Sequence, residues 1–273
     1  MGRILDALEK AAREKGLGMP APEPEKERQK EEKVQVSLDT PSALFTPDRP
    51  SLDPRLVAVV DSQSPIAEQF RKLRSAIIHT RNGAPPRAIM ITSALANEGK
   101  TFVAANLAAS IAKGIHERVL LVDCDFRRPE VHNYFGIKAP VGLSAYLRGD
   151  AELSRLFVKT SVEKLSLLPM GAPPPNPSEL TASEKMKALM AEMKGRYPDR
   201  YLVIDSTPLV PTTEPSILAS QVDGVVLVIR AEKTSRDMVE KALESLASVR
   251  VLGIVLNDVR PAFPQYYYRN RVG

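Results

Sequence analysis

The sequence predicts an α/β fold with a doubly wound, mostly parallel sheet. The first observation is that runs of four to seven aliphatic residues alternate with segments of helical periodicity. Such runs are typical of strands buried on both faces, and the intervening helices suit right-handed crossovers. The second observation is that one run leads directly into a glycine-containing phosphate-binding motif and then a helix. In such a sheet the ligand lies outside the carboxyl ends of the strands, so the residues after each strand should carry the chemistry.

The first predicted elements precede the sheet. The residues RLVAVVD are predicted to form a short strand-like piece. A helix is then predicted to begin with Ser64 as its N-cap and Pro65 as its first helical residue, since both residue types are favoured at these positions. Its apolar residues recur at helical spacing and are expected to face the core: Ile66, Phe70, Leu73 and Ile77.

Strands and helices then alternate to the end of the domain. The aliphatic runs predicted as strands are AIMIT, RVLLVD, KLSLLP, YLVID, DGVVLVIR and VLGIVLN. The longer segments predicted as helices are TFVAANLAASIAK, ASEKMKALMAEMKGR and SRDMVEKALESLASV. Because the two types alternate along the chain, the pattern favours one parallel sheet covered by helices.

Composition divides the chain into four regions. Residues 1–16 have one apolar side and are predicted to form an amphipathic helix, which either docks on a protein partner or its own domain or has no role. Residues 17–54 are rich in proline and charge and are predicted to be a disordered linker, because they cannot bury enough apolar surface to offset the entropy of ordering. Residues 55–258 form the predicted nucleotide-binding domain, and residues 259–273 form a short tail with three consecutive tyrosines.

The overall composition is that of a globular protein without a disulfide framework. The chain has 273 residues, 43% hydrophobic and 26% charged, and a single cysteine, Cys124. No apolar run reaches the roughly 18 residues of a membrane span, and the charged N-terminus does not resemble a signal peptide. A net charge of +5 without tryptophan or a dense basic run argues against nucleic-acid binding. We therefore expect a cytoplasmic protein.

The phosphate-binding motif is SALANEGKT, from Ser93 to Thr101. Backbone N–H groups and the helix N-terminus can hold phosphate there, Lys100 can reach the β- and γ-phosphates, and the Thr101 hydroxyl can bind Mg²⁺. Ala94 stands where the general motif has its first glycine. An ordinary strand-to-helix turn is therefore the alternative interpretation of the loop.

Acidic residues follow two other predicted strands. Asp123 and Asp125 come after RVLLV, with Arg127 two residues further on, and Asp205 follows YLVI. Beside a phosphate loop, such carboxylates can bind a metal ion or act as a base, because phosphoryl transfer needs charge neutralisation and an oriented nucleophile. Each acid alone could be a helix cap, but the three together favour a nucleotide site. Cys124 lies between two of them and is expected to face the core.

Together these motifs resemble the bacterial protein-tyrosine kinases, which use a P-loop ATPase architecture. SALANEGKT is similar to their Walker A motif, whose first glycine the family does not require, and YLVIDSTPL is similar to Walker B. LLVDCDFRRP resembles the additional Walker A′ motif, D-x-D-x-R-x-P. EQFRKLR matches the family's E-x-x-R-x-x-R interface motif through Glu68, Arg71 and Arg74. Within the family, the chain looks most like the autokinases of exosortase-linked (PEP-CTERM) exopolysaccharide loci.

Two residues depart from the family pattern. Ala96 stands where the family often has proline, and Thr207 replaces a proline after the Walker B aspartate. Neither change removes an expected phosphate or metal ligand.

The resemblance implies ATP and Mg²⁺ as cofactors and assigns residue roles by motif position. Asp123 is favoured over Asp125 as the group that accepts the tyrosine proton. The implied catalytic residues are Lys100, Asp123, Asp125 and Asp205. The implied metal ligands are Thr101, Asp125 and Asp205. The implied nucleotide-binding residues are Asn97, Glu98, Gly99, Lys100, Thr101, Phe102, Arg127 and Asn257.

The resemblance also implies a role for the tail and a set of partners. Tyr266, Tyr267 and Tyr268 are the expected phosphate acceptors, modified between subunits of a ring-like homo-oligomer. The expected function is a tyrosine autokinase that regulates exopolysaccharide polymerisation and export. A separate membrane polysaccharide co-polymerase, or chain-length protein, is the expected activator, which would hold the protein at the inner face of the plasma membrane. A tyrosine phosphatase is the expected opposing enzyme.

Two other functions fit the same fold. A partition or Min-type ATPase would carry a signature lysine five residues before the P-loop lysine, and Leu95 at that position argues against it. A nucleotide-gated assembly scaffold with negligible chemistry would carry the same motifs, and the sequence does not separate it from a kinase.

Overall fold

The computed structural model describes residues 51–79, 84–196 and 200–260. The predicted N-terminal helix, most of the predicted linker and the tyrosine cluster lie outside the described residues. The described end of the predicted linker contacts the domain. The Asp53 amide donates a hydrogen bond to the Tyr134 carbonyl (3.1 Å), and Leu52 packs against the core.

A seven-stranded sheet forms the centre of the described residues, in the order β3-β4-β2-β5-β1-β6-β7. Neighbouring strands are parallel except for the short β3, which is antiparallel to β4. The predicted doubly wound, mostly parallel sheet is therefore confirmed. Its strands are β1 (Ala88–Ser93), β2 (Arg118–Cys124), β3 (Val158–Lys159), β4 (Leu165–Leu168), β5 (Arg200–Ser206), β6 (Gly224–Arg230) and β7 (Val251–Asn257).

Helices connect the strands, and the three long helices predicted after residue 88 are all present. The shorter helices had no clear periodicity in the sequence because each makes less than two turns. The helices are α1 (Val57–Val60), α2 (Pro65–Ile78), α3 (Lys100–Ala112), α4 (Val131–Tyr134), α5 (Leu143–Arg148), α6 (Pro177–Ala182), α7 (Glu184–Arg196), α8 (Glu214–Ala219) and α9 (Arg236–Glu244), with a 3₁₀ turn at Leu153–Arg155.

The central strands bring the acidic strand ends together. Strand β5 lies between β2 and β1, so the strand that leads into the phosphate loop is next to one acidic strand and one strand away from the other. Asp123 of β2 is directly opposite Asp205 of β5, which is opposite Ile91 of β1. Because these neighbours are parallel, their carboxyl ends meet at one edge of the sheet.

Helix α3, which follows the phosphate loop, is buried along almost its whole length. Apart from Lys100 and Phe102, all of its residues are buried. The cause is its composition: a helix that is apolar on every side is stable only inside a core, and its alanines allow neighbouring elements to approach closely. The phosphate loop is therefore attached to a helix that the core holds in place.

The segment predicted as a strand before the sheet forms helix α1 instead. Leu56 and Ala58 are buried, and the Ala58 amide donates a hydrogen bond to Oδ1 of Asn106 on α3 (2.9 Å). The valine-rich run has high strand propensity, but strand propensity depends on a neighbouring strand and on burial. Within the described residues this segment packs on helices α2 and α3 rather than beside a strand.

One residue and one strand that were expected inside the core are partly exposed. Ile66 is 51% exposed, and Ala67 is buried in its place at the start of α2. Strand β7 was expected to be buried on both faces, but it pairs only with β6 among the described strands. Ile254 and Leu256 are accordingly 48% and 53% exposed. An aliphatic run thus indicated a strand correctly without indicating its place at the sheet edge.

We predict that Asn106→Ala destabilises the domain. The fully buried Asn106 amide accepts from the Ala58 amide and donates to the carbonyls of Arg55 (3.0 Å) and Phe102 (2.9 Å). Because an unsatisfied buried polar group costs about 1–3 kcal/mol, urea denaturation should show a free energy of unfolding lower by about 2–3 kcal/mol. Gln69→Ala, at an exposed position of α2, is the control and should change it by less than about 0.5 kcal/mol. Equal small losses in both variants would contradict the assigned role of Asn106.

Candidate active site

The phosphate loop joins β1 to α3 at the carboxyl edge of the sheet. Gly99 precedes α3 and has a φ of +93°, in the left-handed region that favours glycine. A Cβ atom on Gly99 would lie 2.1 Å from Nδ2 of Asn257, at the end of β7. Both the backbone conformation and the space therefore require glycine. Ala94, at the position of the motif's first glycine, is buried, and its carbonyl accepts a hydrogen bond from the Val210 amide (3.1 Å).

Four of the predicted catalytic and metal-binding side chains form one connected cluster. Nζ of Lys100 lies 2.6 Å from Oδ2 of Asp125 and donates to Oγ1 of Thr101 (3.2 Å). The Thr101 hydroxyl donates in turn to Oδ2 of Asp205 (2.7 Å). The structure thus brings together the start of α3, the residue after β2 and the end of β5.

Asp123 lies next to this cluster but is engaged with the backbone. Its Oδ1 accepts a hydrogen bond from the Asp125 amide (3.1 Å) and its Oδ2 accepts one from the Val131 amide (3.2 Å). The Asp123 side chain is fully buried, whereas Asp125 retains slight exposure. In this arrangement Asp123 fixes the turn that carries Asp125 and the start of α4.

Burial governs the electrostatics of the cluster. It raises the pKa of Asp205 to about 6, against the lowering effects of Lys100 and the Thr101 hydroxyl. It also raises the pKa of Asp123, and the nearby Asp205 raises it further. Burial alone would lower the pKa of Lys100, but Asp205 and Asp125 raise it above its usual value. Three carboxylates therefore share one ammonium group in a site with little contact with water.

The residues of the cluster fit a magnesium ion bound together with phosphate. Oδ1 of Asp205 is buried and has no hydrogen-bond partner among the described residues. Carboxylate and hydroxyl oxygens are the ligands that Mg²⁺ prefers, and the excess negative charge suits a divalent cation. No group of three or more carboxylate, histidine or cysteine ligands within the described ranges could hold a metal ion by itself. A cation here would therefore need phosphate oxygens or water to complete its ligand set, as in P-loop sites.

The phosphate loop is supported by residues from the neighbouring strand ends. Oε2 of the buried Glu98 accepts a hydrogen bond from the Leu95 amide (2.8 Å), and its Oε1 accepts one from the Thr234 hydroxyl. Nδ2 of Asn257 donates to the Glu98 carbonyl (2.9 Å). Glu98 and Asn257, predicted to contact the nucleotide, thus hold the shape of the loop. Thr234 was missed because a threonine after a strand carries no distinguishing signal.

Two further residues that were predicted to bind the nucleotide, Asn97 and Phe102, contact residues outside this cluster. Asn97 has a φ of +64°, and its Oδ1 accepts a hydrogen bond from the Arg128 guanidinium (3.4 Å). The Phe102 ring packs edge-on against Phe70 of α2, with ring centroids 5.4 Å apart. Cys124 is buried, as predicted.

Arg127 reaches a partner that the sequence did not indicate. Its guanidinium donates to Oε1 of Glu214 (3.0 Å), which also accepts a hydrogen bond from the Ser178 hydroxyl (3.1 Å). The Arg127 amide donates to Oδ1 of Asp125 (3.1 Å), which links this group to the cluster. Glu214 was missed because an acid in the first turn of a helix is common for reasons of capping and helix dipole.

The charges of the predicted interface motif on α2 are held within the domain. Arg71 donates to Oε2 of Glu68 (2.7 Å) and to the Ser62 carbonyl (2.7 Å), and Arg74 donates to the Ser110 carbonyl of α3 (2.8 Å). Their expected contact between subunits stays a prediction, and it would require these side chains to exchange the contacts that they make within the domain. Long arginine side chains can reach carbonyls on neighbouring elements, which spacing along one helix does not reveal.

Comparison with known sequences identifies the domain type and related proteins. The model of the CobQ/CobB/MinD/ParA nucleotide binding domain matches residues 89–268. Tyrosine-protein kinase YwqD of Bacillus subtilis is 34% identical over 204 residues, which cover 74% of this chain and 85% of YwqD. The putative tyrosine-protein kinase EpsB of Ralstonia nicotianae is 33% identical over 240 residues, which cover 87% of this chain but 31% of EpsB. The chain thus spans less than a third of that longer relative.

Comparison with solved structures also finds a bacterial tyrosine kinase domain. The kinase domain of the Escherichia coli tyrosine kinase ETK is similar with a TM-score of 0.69 and 28% identity. The match covers 77% of this chain and 83% of the ETK domain.

None of the helices in the described ranges has both the length and the apolar character needed to cross a bilayer.

We predict that Asp205→Asn stabilises the nucleotide-free protein while weakening binding of MgATP. The pKa of Asp205 is raised on folding from 3.8 to about 6, so the folded protein holds a proton that the unfolded chain releases. The resulting cost of ionisation is absent below about pH 4 and complete above about pH 6 to 7. Thermal or urea unfolding should therefore show a stability advantage of the variant that grows over this interval, to about 3 kcal/mol.

Asp61→Asn is the matched control, since Asp61 is exposed. It should change the free energy of unfolding little across the same pH range. A stability difference between wild type and Asp205→Asn that does not change with pH would contradict the assigned cost of the buried charge.

Proposed function

Because the chain belongs to the bacterial protein-tyrosine kinases with a CobQ/CobB/MinD/ParA-type nucleotide-binding domain, we propose that its acceptor is its own C-terminal tyrosine cluster, with MgATP as donor. The kinase activity follows from the family. The observation that supports the donor site is the cluster in which Lys100 contacts Asp125 and Thr101 contacts Asp205 beside the phosphate loop.

The cluster can perform each part of phosphoryl transfer. Lys100 and the loop amides would bind the phosphates, and Thr101 with Asp205 would hold the cation. Bound Mg²⁺ would neutralise charge that develops on the phosphate oxygens. In the transfer, the tyrosine oxygen forms a bond to the γ-phosphorus, the bond from that phosphorus to the bridging oxygen of ADP breaks, and the phenolic proton passes to a carboxylate.

We propose Asp125, rather than the Asp123 favoured from the sequence, as the proton acceptor. Both oxygens of Asp123 accept backbone hydrogen bonds, and its side chain is fully buried. Oδ2 of Asp125 lies 2.6 Å from Nζ of Lys100, and these two side chains keep slight exposure, 4% and 12%. A base must reach the proton that it removes, so access decides between the two acids.

The proposed acceptor begins close to the site along the chain. Strand β7 ends at Asn257, whose side chain contacts the phosphate loop, and Tyr266 follows nine residues later. An extended chain of that length spans roughly 30 Å, enough to reach its own site or that of a neighbouring subunit. We favour transfer between subunits of a homo-oligomer. Phosphate added to a tail that carries Arg260, Arg269 and Arg271 would lower its positive charge and weaken its hold on an acidic site.

The wider role is proposed from the family resemblance. The kinase would regulate exopolysaccharide polymerisation and export, with a membrane co-polymerase as activator and a phosphatase to reverse the modification. A cytoplasmic location at the inner membrane face would follow from that partner. Assembly through α2 would use Glu68, Arg71 and Arg74 after they exchange their contacts within the domain, together with the exposed Ile66.

We predict that Lys100→Met abolishes phosphotyrosine formation without unfolding the domain. The variant removes the ammonium that would bind the β- and γ-phosphates, so labelling should fall by about 100-fold or more. Mass spectrometry of the C-terminal peptide after incubation with MgATP measures the product, and circular dichroism checks the fold. Lys113→Met, at the exposed end of the same helix, is the control and should retain labelling. Wild-type labelling by Lys100→Met would contradict the assigned site.

We predict that changing Tyr266, Tyr267 and Tyr268 to Phe reduces self-phosphorylation to near zero while ATP binding remains. Among the described tyrosines, Tyr134 and Tyr201 are buried, and burial raises the pKa of Tyr134 to about 12. These phenols are thus poor alternative acceptors. Persistent tyrosine labelling of the triple variant would show that the cluster is not the main acceptor.

A mixture of two variants, neither of which can label itself, distinguishes transfer between chains from transfer within a chain. The triple-Phe protein has an intact donor site, and the Lys100→Met protein has intact tyrosines. We expect the Lys100→Met tail to be labelled in the mixture, because only a neighbouring chain can supply the phosphate. No labelling, with wild type active alone, would assign transfer within one chain.

A further inference from the structure

Glu214 is a buried acid that uses only one of its two oxygens. It begins α8, the helix that follows β5, and its side chain has no exposed surface. Oε1 accepts hydrogen bonds from Arg127 (3.0 Å) and Ser178 (3.1 Å), but Oε2 is buried without a partner among the described residues. Glutamate is almost never fully buried unless it is paired, and a half-satisfied buried carboxylate lowers stability. Its burial therefore points to a role beyond the packing of α8.

Local effects allow the charge of Glu214 without explaining its contacts. Burial would raise its pKa, but its hydrogen bonds, including those from Arg127 and Ser178, lower it and keep the group ionised. Its place in the first turn of α8 also favours negative charge. An acid in that turn that faced water would have the same advantage without the cost of desolvation. The contacts with Arg127 and Ser178 are what the buried position adds.

Arg127 is the contact that leads to the donor cluster. Its side chain is 51% exposed, so water could satisfy its guanidinium without a buried partner. A charged hydrogen bond to a fixed carboxylate is stronger and more directional than hydration. Glu214 therefore holds in one conformation a side chain that would otherwise exchange between rotamers.

The β2 turn, residues 125–128, folds around one oxygen of Asp125. The amides of Arg127 and Arg128 both donate to its Oδ1 (3.1 and 2.9 Å). The other oxygen, Oδ2, lies 2.6 Å from Nζ of Lys100. Because Arg127 contacts Asp125 through its amide and Glu214 through its guanidinium, Glu214 restrains the turn that holds the Asp125 carboxylate.

The segment that carries Glu214 is itself bonded to the start of the phosphate loop. The Leu209 amide donates to the Ser93 carbonyl (2.8 Å), and the Val210 amide donates to the Ala94 carbonyl (3.1 Å). Glu214 thus joins two segments at the carboxyl edge of the sheet. One is bonded to the phosphate loop, and the other is bonded to Lys100 through Asp125.

These contacts form a closed chain around the donor cluster. From Asp205 it passes through Thr101, Lys100, Asp125, Arg127 and Glu214 and returns along the backbone to Asp205. The contact between Arg127 and Glu214 completes it. Loss of that contact opens the chain and removes a restraint on Asp125 without altering the side chains of the cluster.

We propose that Glu214 is a positioning residue for phosphoryl transfer, which acts through Arg127 to hold the β2 turn so that Asp125 keeps its place beside Lys100. The proposal rests on the proposed function, since it concerns the proton acceptor of that reaction. Ser178 has the secondary role of orienting Oε1 of Glu214.

Hydrogen exchange measures the restraint directly, without nucleotide and without activity. In the full-length protein, Glu214→Gln and Ser178→Ala should speed amide exchange in a peptide of residues 124–131, by about tenfold and threefold. The reason is that the turn protects the amides of Arg127 and Arg128, which donate to Asp125.

Glu179→Gln is the matched control for this experiment. Glu179 is also an acid in the first turn of a helix, α6, but it is exposed. The control should leave exchange in the peptide unchanged. In all three variants, exchange in α3 and β5 should match that of wild type.

Kinetics test whether the restraint matters for the reaction. In tyrosine labelling of the full-length protein, Glu214→Gln should lower kcat about tenfold, because displacement of a reacting group slows the chemical step. The KM for ATP should stay within twofold of wild type, since Lys100 and the loop amides are unchanged. Glu179→Gln should change neither constant.

Arg127→Ala completes a double-mutant cycle. If Glu214 acts through Arg127, adding Glu214→Gln to Arg127→Ala should change kcat by less than twofold. A further loss as large as that caused by Glu214→Gln alone would overturn the assigned route.

A merely structural role of Glu214 gives a different pattern. Thermal unfolding would then show a lower midpoint, while kcat and exchange in the β2 turn at lower temperature would match wild type. That outcome would overturn the proposal, as would exchange that rises equally in the turn, α3 and β5. If Glu214→Gln does not fold, Ser178→Ala decides by the same measurements, because it keeps the buried acid.

Failure of the proposed function is recognised separately. If wild type does not label tyrosine at all, the proposed reaction is wrong, and hydrogen exchange alone decides the role of Glu214. Faster exchange confined to the β2 turn would still support the restraint. Unchanged exchange there in both Glu214→Gln and Ser178→Ala would overturn it independently of catalysis.

Discussion

Three buried carboxylates arranged around one lysine are the constraint on which the rest of this molecule depends. Taking a carboxylate out of water is costly, and like charges a few ångströms apart increase the cost. The fold imposes this arrangement, because β5 lies between β1 and β2 and the register places Asp123 opposite Asp205. Such a site is built to bind opposite charge, and its apolar surroundings must supply the stability that it lacks. The buried helix α3 and the aliphatic central strands meet that requirement.

Contacts with neighbouring elements hold the shape of the phosphate loop. Thr234 after β6 and Asn257 at the end of β7 contact Glu98 of the loop, and Gly99 leaves the space in which Asn257 fits. The loop is therefore held by contacts within the protein itself. Such preorganisation lowers the entropy lost on binding and keeps donors aimed at the position where charge develops.

The sequence predicted the parts of the fold that local chemistry determines. Aliphatic runs, the GKT loop and acids at strand ends are local signals, and the parallel sheet with its cluster at the carboxyl edge followed from them. The failures concern relations between distant segments. RLVAVVD has the composition of a strand but packs on helices, and β7 has the composition of an interior strand but lies at the edge. Arg74 and Glu214 find partners on other elements, which no spacing along the chain encodes.

The position of Cys124 has a practical consequence for labelling studies. It is the single cysteine of the sequence, and it is buried between Asp123 and Asp125. Burial, followed by the charge of Asp123, raises the pKa of its thiol, so little of the reactive thiolate forms in the folded protein. A cysteine introduced at an exposed position would therefore be the main site of attachment for a maleimide dye or spin label. The native thiol, in turn, would react chiefly when the strand ends around the nucleotide site separate, so its modification rate reports opening of the domain.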